Sequence, residues 1–257
     1  MTAQDYAQIL RVAYEKRTPC SPLREQIGVN DVELAYQIQA INNQILIQNG
    51  ANITGHKIGL TSKAVQEQLG VDQPDFGMLL DTMEVLNGGT IQMSELMQPK
   101  VEAEIAFVLG KDLPNRPVST VELINAIDYA LAAIEIVGSR IKDWNIKITD
   151  TIADNASASH YVLGHKPTKL SDFDVINCQM SMTKNGSLAS EGKGAACLGS
   201  PINATLWLAD KMAEIGTPLK AGQVILSGAL GKMTTVQAGD TIEASIDGLS
   251  SVSVSFI

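Results

Sequence analysis

Aromatic side chains are scarce in this 257-residue chain, at 4% of positions, so its core must be built from Ile, Leu, Val, Ala and Met. Basic residues are also few: 19 Lys and Arg stand against 28 Asp and Glu, a formal charge of −9. Such a surface lacks the basic footprint that nucleic acids and anionic membranes require. A small anionic substrate is still compatible, because a metal ion or a local lysine reverses the field inside a cleft. Cysteine is limited to Cys20, Cys178 and Cys197, an odd number without CxxC spacing. That argues against a disulfide framework and for reduced, mostly buried thiols. No run of 18 apolar residues occurs, so no membrane span is expected. The opening MTAQDYAQILRVAYEKR carries charges inside its apolar pattern, unlike a signal peptide. These features predict a soluble, cytoplasmic protein.

The common catalytic signatures are missing too. Neither GxSxG nor HExxH is present, and the three histidines, His56, His160 and His165, lie in separate contexts that do not suggest a zinc cluster. Each reads as a surface or hydrogen-bonded histidine. The glycine-rich EGKGAACLGSP (191–201) fits neither GxGxxG nor GxxxxGK[ST], and reads as a close-packed turn.

What is present divides into two textures, with a soft boundary near residue 50. Residues 1–50 form an N-terminal helical region. Tyr6, Ile9, Leu10, Ala13 and Tyr14 follow a 3.6-residue period behind a Thr2/Asp5 capping pair, and a second helix starts near Asn30 or Asp31. Residues 51–257 form a β-rich catalytic domain of short apolar runs punctuated by Gly, Pro, Asp and Asn. Two helices interrupt it, at about 119–132 and 203–215, and the last 40 residues read as strand after strand. The class is α+β.

Within this frame, KVEAEIAFVLG (100–110) poses a physical problem. It has the composition of a buried strand, yet Glu102 and Glu104 sit two apart, on one face and roughly 7 Å from each other. Burying like charges side by side is unfavourable unless one takes a proton or a cation lies between them. LAAIEIVGSR (131–140) repeats the pattern with Glu135 between two isoleucines. Three carboxylates on neighbouring strands would form an all-oxygen site suited to Mg²⁺ or Mn²⁺. On spacing alone, the alternative is an edge whose glutamates face water. Lys57 in GHKIGLTS either snorkels out or exchanges protons in a dry cleft beside a bound cation. Asp75, in the turn GVDQPDFGMLLD, either bonds locally or serves the same site.

Taken together, GHKIGLTSKAVQEQLGVDQPDFG, PKVEAEIAFVLGKDLP, EIVGSRIKDW, DTIADNASA and LSGALG resemble the 2-hydroxypenta-2,4-dienoate hydratases of the fumarylacetoacetate hydrolase superfamily, in the family's order from about residue 20 onward. The resemblance implies a mixed β-roll or barrel core, a divalent cation, Mg²⁺ or Mn²⁺, and a homo-oligomer, pentamer or decamer. It makes Glu102, Glu104 and Glu135 the metal ligands, Lys57 and Asp75 the catalytic pair, and Ser157 a substrate-binding residue. The implied substrate is a small 2-hydroxy-dienoate from aromatic-compound catabolism. Complexes with a homologous decarboxylase or a downstream aldolase are compatible with it.

Two related activities stay open at this point. 4-Oxalocrotonate decarboxylases share the carboxylates and lysine, but that branch carries Pro-Ile-Tyr-Gly where this chain has Pro-Asp-Phe-Gly. A hydratase of a longer dienoate or a dienedioate would share the aspartate. For a second substrate carboxylate it would need a further cation, for which Arg140, Lys142 and Lys63 are the candidates.

Overall fold

Capping chemistry starts the fold where the sequence places it. In this computed structural model, which describes residues 1–62, 66 and 73–257, helix α1 (Ala3–Glu15) opens on a reciprocal Thr2–Asp5 pair. The Asp5 carboxylate accepts from the Thr2 backbone N–H at 2.7 Å. After the short α2 (Arg24–Ile27), Asp31 caps α3 (Val32–Gln48) by accepting from the Leu34 N–H at 3.0 Å. Tyr6, Leu10, Ala35 and Ile38 from these helices share an apolar cluster with Ile141, Ile148 and Ile152 from much later in the chain.

The rest is two packed sheets. The larger has the order β2-β1-β10-β5-β6-β7-β3, with β11 alongside β5. Its strands are β1 (Ile53–Gly59), β2 (Asp75–Leu80), β3 (Glu84–Val85), β5 (Lys100–Leu109), β6 (Ile127–Val137), β7 (Ala158–Leu163), β10 (Val224–Ala229) and β11 (Thr234–Thr235). The smaller has the order β4-β13-β12-β8-β9, from β4 (Gly89–Ile91), β8 (Gln179–Lys184), β9 (Ser187–Lys193), β12 (Thr241–Ile246) and β13 (Ser250–Phe256). Both mix pairings: β1 with β10, β3 with β7 and β4 with β13 run parallel, and the other pairs run antiparallel.

Alternation along β5 sorts its side chains between two environments. Val101, Ala103, Ile105 and Phe107 enter the main core, with Ile242, Val252, Val254 and Phe256 of the smaller sheet and Leu208 and Met212 of α6 (Pro201–Glu214). Ala106 and Val108 face the other way, joining Leu79, Leu131, Ala133, Tyr161, Val224 and Leu226 in a second cluster lining the curled face of the large sheet. Glu102 and Glu104 share that face by period.

One expected helix is shorter than its composition suggests. The run expected to be helical over about 119–132 ends as α4 (Thr120–Ala126), and β6 begins at Ile127. Ala130, Ala132 and Ala133 suit a helix, but pairing with β5 from Leu109↔Ile127 to Lys100↔Val137 outweighs that local preference. Within the glycine-rich 191–201 segment, 191–193 end β9 and Gly194–Ala196 form the tight turn, closed by Cys197 N–H to Gly194 O at 3.1 Å and packed on Cys178 O through the Gly194 N–H at 3.2 Å. His56 departs from expectation: it is buried on β1, its Nδ1 has no hydrogen-bond partner, and burial pushes its pKa down to about 4. No helix among the described residues is long and apolar enough to cross a membrane.

Candidate active site

The sheet order brings five of the six candidate side chains together at one end of the curled face. Glu102 is directly opposite Glu135 across the β5–β6 ladder, and Glu104 pairs with Ala133 two residues along. Antiparallel partners point to the same face, so the three carboxylates converge. Two strands away, Lys57 pairs with Leu226 on one side and Gly77 on the other, while Asp75 pairs with Gly59.

Burial makes this face electrostatically demanding. Glu104, Glu135 and Asp75 are each 1% exposed and Lys57 3%, while Glu102 is partly exposed. Lys57 Nζ lies 3.2 Å from Glu135 Oε1 and donates to the Ala156 carbonyl at 2.9 Å. Glu104 Oε2 accepts from the Gly228 N–H at 2.7 Å. Neither Glu135 oxygen has a hydrogen-bond partner, and its contact with Lys57 is an ion pair.

Burial, then the Glu135 charge, raises the Glu102 carboxyl to about 7. Burial followed by Glu135 and Glu102 raises Glu104 well above the usual carboxylate range. Glu135 is raised as well, by burial, with Lys57 opposing. Burial alone would depress the Lys57 ammonium, but Glu135, Asp75, Glu102 and Glu104 outweigh it and hold the group above its ordinary value. Proton exchange at Lys57 is expected beside a bound cation; with the four carboxylate charges uncompensated the ammonium is instead held up.

Three carboxylates on one face, two of them buried and with both Glu135 oxygens lacking any hydrogen bond, form a hard, anionic donor set that suits a divalent cation. The side chains do not stand in finished ligand geometry: among the described residues no three His, Cys, Asp or Glu side chains are grouped as a ready-made cation cage. Lys57 instead lies against Glu135.

The opposite wall comes from α5 (Ile148–Ala153) and the turn after it. Asn155, Ala156 and Ser157 all have positive φ, of 54°, 50° and 59°, in succession and without glycine. Such backbone is strained and persists only when its surroundings hold it. Here the Asn155 side chain donates to the Met78 carbonyl and accepts from the Met78 N–H, both at 2.9 Å. Gly77 lets the turn approach, since a Cβ there would lie 2.3 Å from Asn155 O. The result points Ala156 O at Lys57 and sets Ser157 Oγ 3.3 Å from Thr151 Oγ1, which also lies 3.2 Å from Asp75 Oδ2. Asp75 Oδ1 is buried without a partner, and burial raises this carboxyl although Lys57 and Thr151 oppose it.

Residue-type reasoning did not single out Thr151, Asn155 or the Gly228 N–H. The quoted DTIADNASA and LSGALG segments contain all three, and proximity in the fold gives them their roles. Arg140 is not available to a substrate carboxylate, because its guanidinium is buried against Asp154 through Nε. Lys142 is exposed, and Lys63 lies outside the described residues.

A sequence profile for the fumarylacetoacetate (FAA) hydrolase C-terminal domain matches residues 46–256. The chain belongs to the fumarylacetoacetate hydrolase family. Within that family it is 48% identical over 256 residues to 2-keto-4-pentenoate hydratase 1 of Dechloromonas aromatica, covering 100% of this chain and 97% of the relative. It is 51% identical over 247 residues to 2-keto-4-pentenoate hydratase of Burkholderia vietnamiensis, covering 96% and 94%. Among solved structures it superposes with a TM-score of 0.94 on 4-oxalocrotonate decarboxylase from Pseudomonas putida G7 complexed with magnesium and adipate, at 31% identity over 100% of this chain and 99% of that one.

Proposed function

We propose that this chain is a divalent-cation-dependent hydratase that converts 2-hydroxypenta-2,4-dienoate and water to 4-hydroxy-2-oxopentanoate in aromatic-compound catabolism. The observation that carries the reading is one sheet face on which three glutamate carboxylates adjoin a lysine and an aspartate. Full-length likeness to proteins named 2-keto-4-pentenoate hydratase supplies the substrate class.

A divalent cation, Mg²⁺ or Mn²⁺, held by Glu102, Glu104 and Glu135, would supply the Lewis acidity that stabilises negative charge on the substrate's carboxylate and 2-oxygen. The protein's own groups handle the protons. The substrate 2-hydroxyl gives up its proton and C5 gains one, leaving a 2-oxo-3-enoate whose C4 is electrophilic. Water oxygen then adds at C4 and C3 takes a proton, so one water is consumed in all. Lys57 and Asp75 face the site from adjacent strands and serve as its acid and base, with Ser157 among the groups that hold the substrate. Once the glutamate charges are neutralised, burial dominates at Lys57 and its ammonium gives up a proton more readily. The Ala156 carbonyl fixes the direction of its amine.

The near-complete superposition on a decarboxylase favours a second reading, loss of CO₂ from 4-oxalocrotonate through a similar enolate. Identity of 48–51% to hydratases against 31% to that enzyme weighs toward hydration, as does Asp75. Mass spectrometry separates them when both substrates are offered together with Mg²⁺ or Mn²⁺ and with a chelator control. Metal-dependent gain of 18 mass units by the monocarboxylate (about the mass of one water) is expected. Loss of CO₂ from the dicarboxylate would move the chain to the decarboxylases. The same reading makes the protein a cytoplasmic homo-oligomer, and a monomer in sedimentation would remove that part.

A further inference from the structure

Thr151 has no part in the chemistry assigned to Lys57, Asp75 and the glutamates, yet its hydroxyl stands between two groups that do. It is buried on α5, with Oγ1 3.2 Å from Asp75 Oδ2 and 3.3 Å from Ser157 Oγ. A hydroxyl carries one hydrogen and two lone pairs, whereas an ionised carboxylate only accepts. Facing an ionised Asp75, Thr151 must therefore donate to it, which leaves Ser157 to donate to Thr151. The Ser157 hydrogen is then turned into the wall, and its lone pairs are left to accept from a hydroxyl in the pocket. With a proton on Asp75 the line reverses: Asp75 donates to Thr151, Thr151 to Ser157, and Ser157 offers a hydrogen instead.

The surroundings hold this line in place from both ends. The Arg24 backbone N–H donates to Asp150 Oδ1 at 2.9 Å, and the Arg24 guanidinium pairs with the same carboxylate. At the other end Arg140 pairs with Asp154, and the clamped left-handed turn delivers Ser157.

We infer that Thr151 is a positioning residue that joins Ser157 to Asp75 in a proton relay. The O–H bond of a substrate or water hydroxyl breaks as its proton passes to Ser157 Oγ. The serine's own proton passes to Thr151 Oγ1, and the threonine's to Asp75 Oδ2. Both hydroxyls finish with one hydrogen each, Asp75 gains one, and the donor oxygen keeps the electron pair.

This rests on the hydratase reading, so the test carries two readouts. With the cation-loaded protein, one is hydration of 2-hydroxypenta-2,4-dienoate. The other is deuterium uptake at C3 of 2-oxopentanoate in D₂O, which needs no hydration: as C3 takes a deuteron and the ketone re-forms, the enol's 2-hydroxyl loses its proton through the same relay. Thr151→Val should lower both by on the order of 10²-fold, with KM nearly unchanged, and Thr151→Ser should restore most of the loss. Equal losses in the Val and Ser variants, or none in Val, would overturn the relay. Should Thr151→Val not fold, the wild-type proton inventory decides. A bowed dependence on deuterium fraction, from several protons in flight, supports the relay, and a linear or absent one overturns it. Exchange without hydration in the wild type would remove the hydratase reading and leave the relay under test by exchange. Neither reaction in the wild type would sink both.

Discussion

Lys57 is held by an ion pair to Glu135 and a hydrogen bond to Ala156 O, while Asp75 keeps one buried oxygen free, so altering either should be felt in turnover rather than in cation binding. Lys57→Ala and Asp75→Asn should each lower kcat by roughly 10²- to 10⁴-fold, the range of a lost general acid or base. Both variants should still bind Mn²⁺ by calorimetry, and loss of Mn²⁺ binding in Asp75→Asn would contradict its role as a proton carrier. Glu104→Gln removes a charge that the Gly228 N–H helps hold, so it should weaken Mn²⁺ binding first and turnover as a consequence. Full activity at low metal would remove Glu104 from the ligand set. The glutamates and Lys57 were legible in the sequence because a lone charge inside an apolar strand demands an explanation. Thr151 was not, because a threonine is unremarkable in a helix. Its importance comes from a contact with a residue 76 positions away.

At the scale of elements, two short segments decide whether the wall opposite the glutamates exists. The turn at 155–157 is strained and depends on close approach at Gly77 and on the Asn155 clamp. A Gly77→Ala side chain would collide with Asn155 O, so activity should fall together with thermal stability, and Asn155→Ala should act in the same direction. The buried Arg140–Asp154 pair fastens the end of α5, and Arg140→Ala leaves the Asp154 carboxylate uncompensated. That should cost about 3–5 kcal/mol in denaturant unfolding. A loss under about 1 kcal/mol would mean that water reaches Asp154. Elements with a capping signal were readable in advance, as the Thr2–Asp5 pair and Asp31 show. The end of α4 was not, since its alanines suit a helix and only the ladder with β5 makes residues from Ile127 onward a strand. The left-handed turn left no mark either, because Asn, Ala and Ser carry no glycine to announce positive φ.

Across the whole molecule, the buried carboxylates tie folding to pH and to cation. Glu102 titrates at about 7 in the folded chain against an ordinary 4.5, and Glu104 and Glu135 are raised too, all chiefly by burial. The folded state therefore binds these protons more tightly than the unfolded state does. The stability that Glu102 contributes is complete below the ordinary carboxylate value and is lost as pH rises through about 7, and Glu104 and Glu135 act in the same direction. His56 and His160 oppose this trend: both are pushed down to about 4, mainly by burial, so they add stability as pH rises from about 4 to the ordinary 6.5. A melting profile in chelator alone would mix the two signs. The difference between melting temperatures with saturating Mg²⁺ and with chelator cancels the histidines, which are common to both. A cation bound by Glu102, Glu104 and Glu135 requires them ionised, so its stabilisation grows as those protons leave. The Mg²⁺-minus-chelator difference should be small near pH 5 and should increase through about 7, and Glu104→Gln should flatten it. A difference that stays constant across that window would separate the cation from these carboxylates. The sheet face would then be a buried acid cluster paired with Lys57 and nothing more.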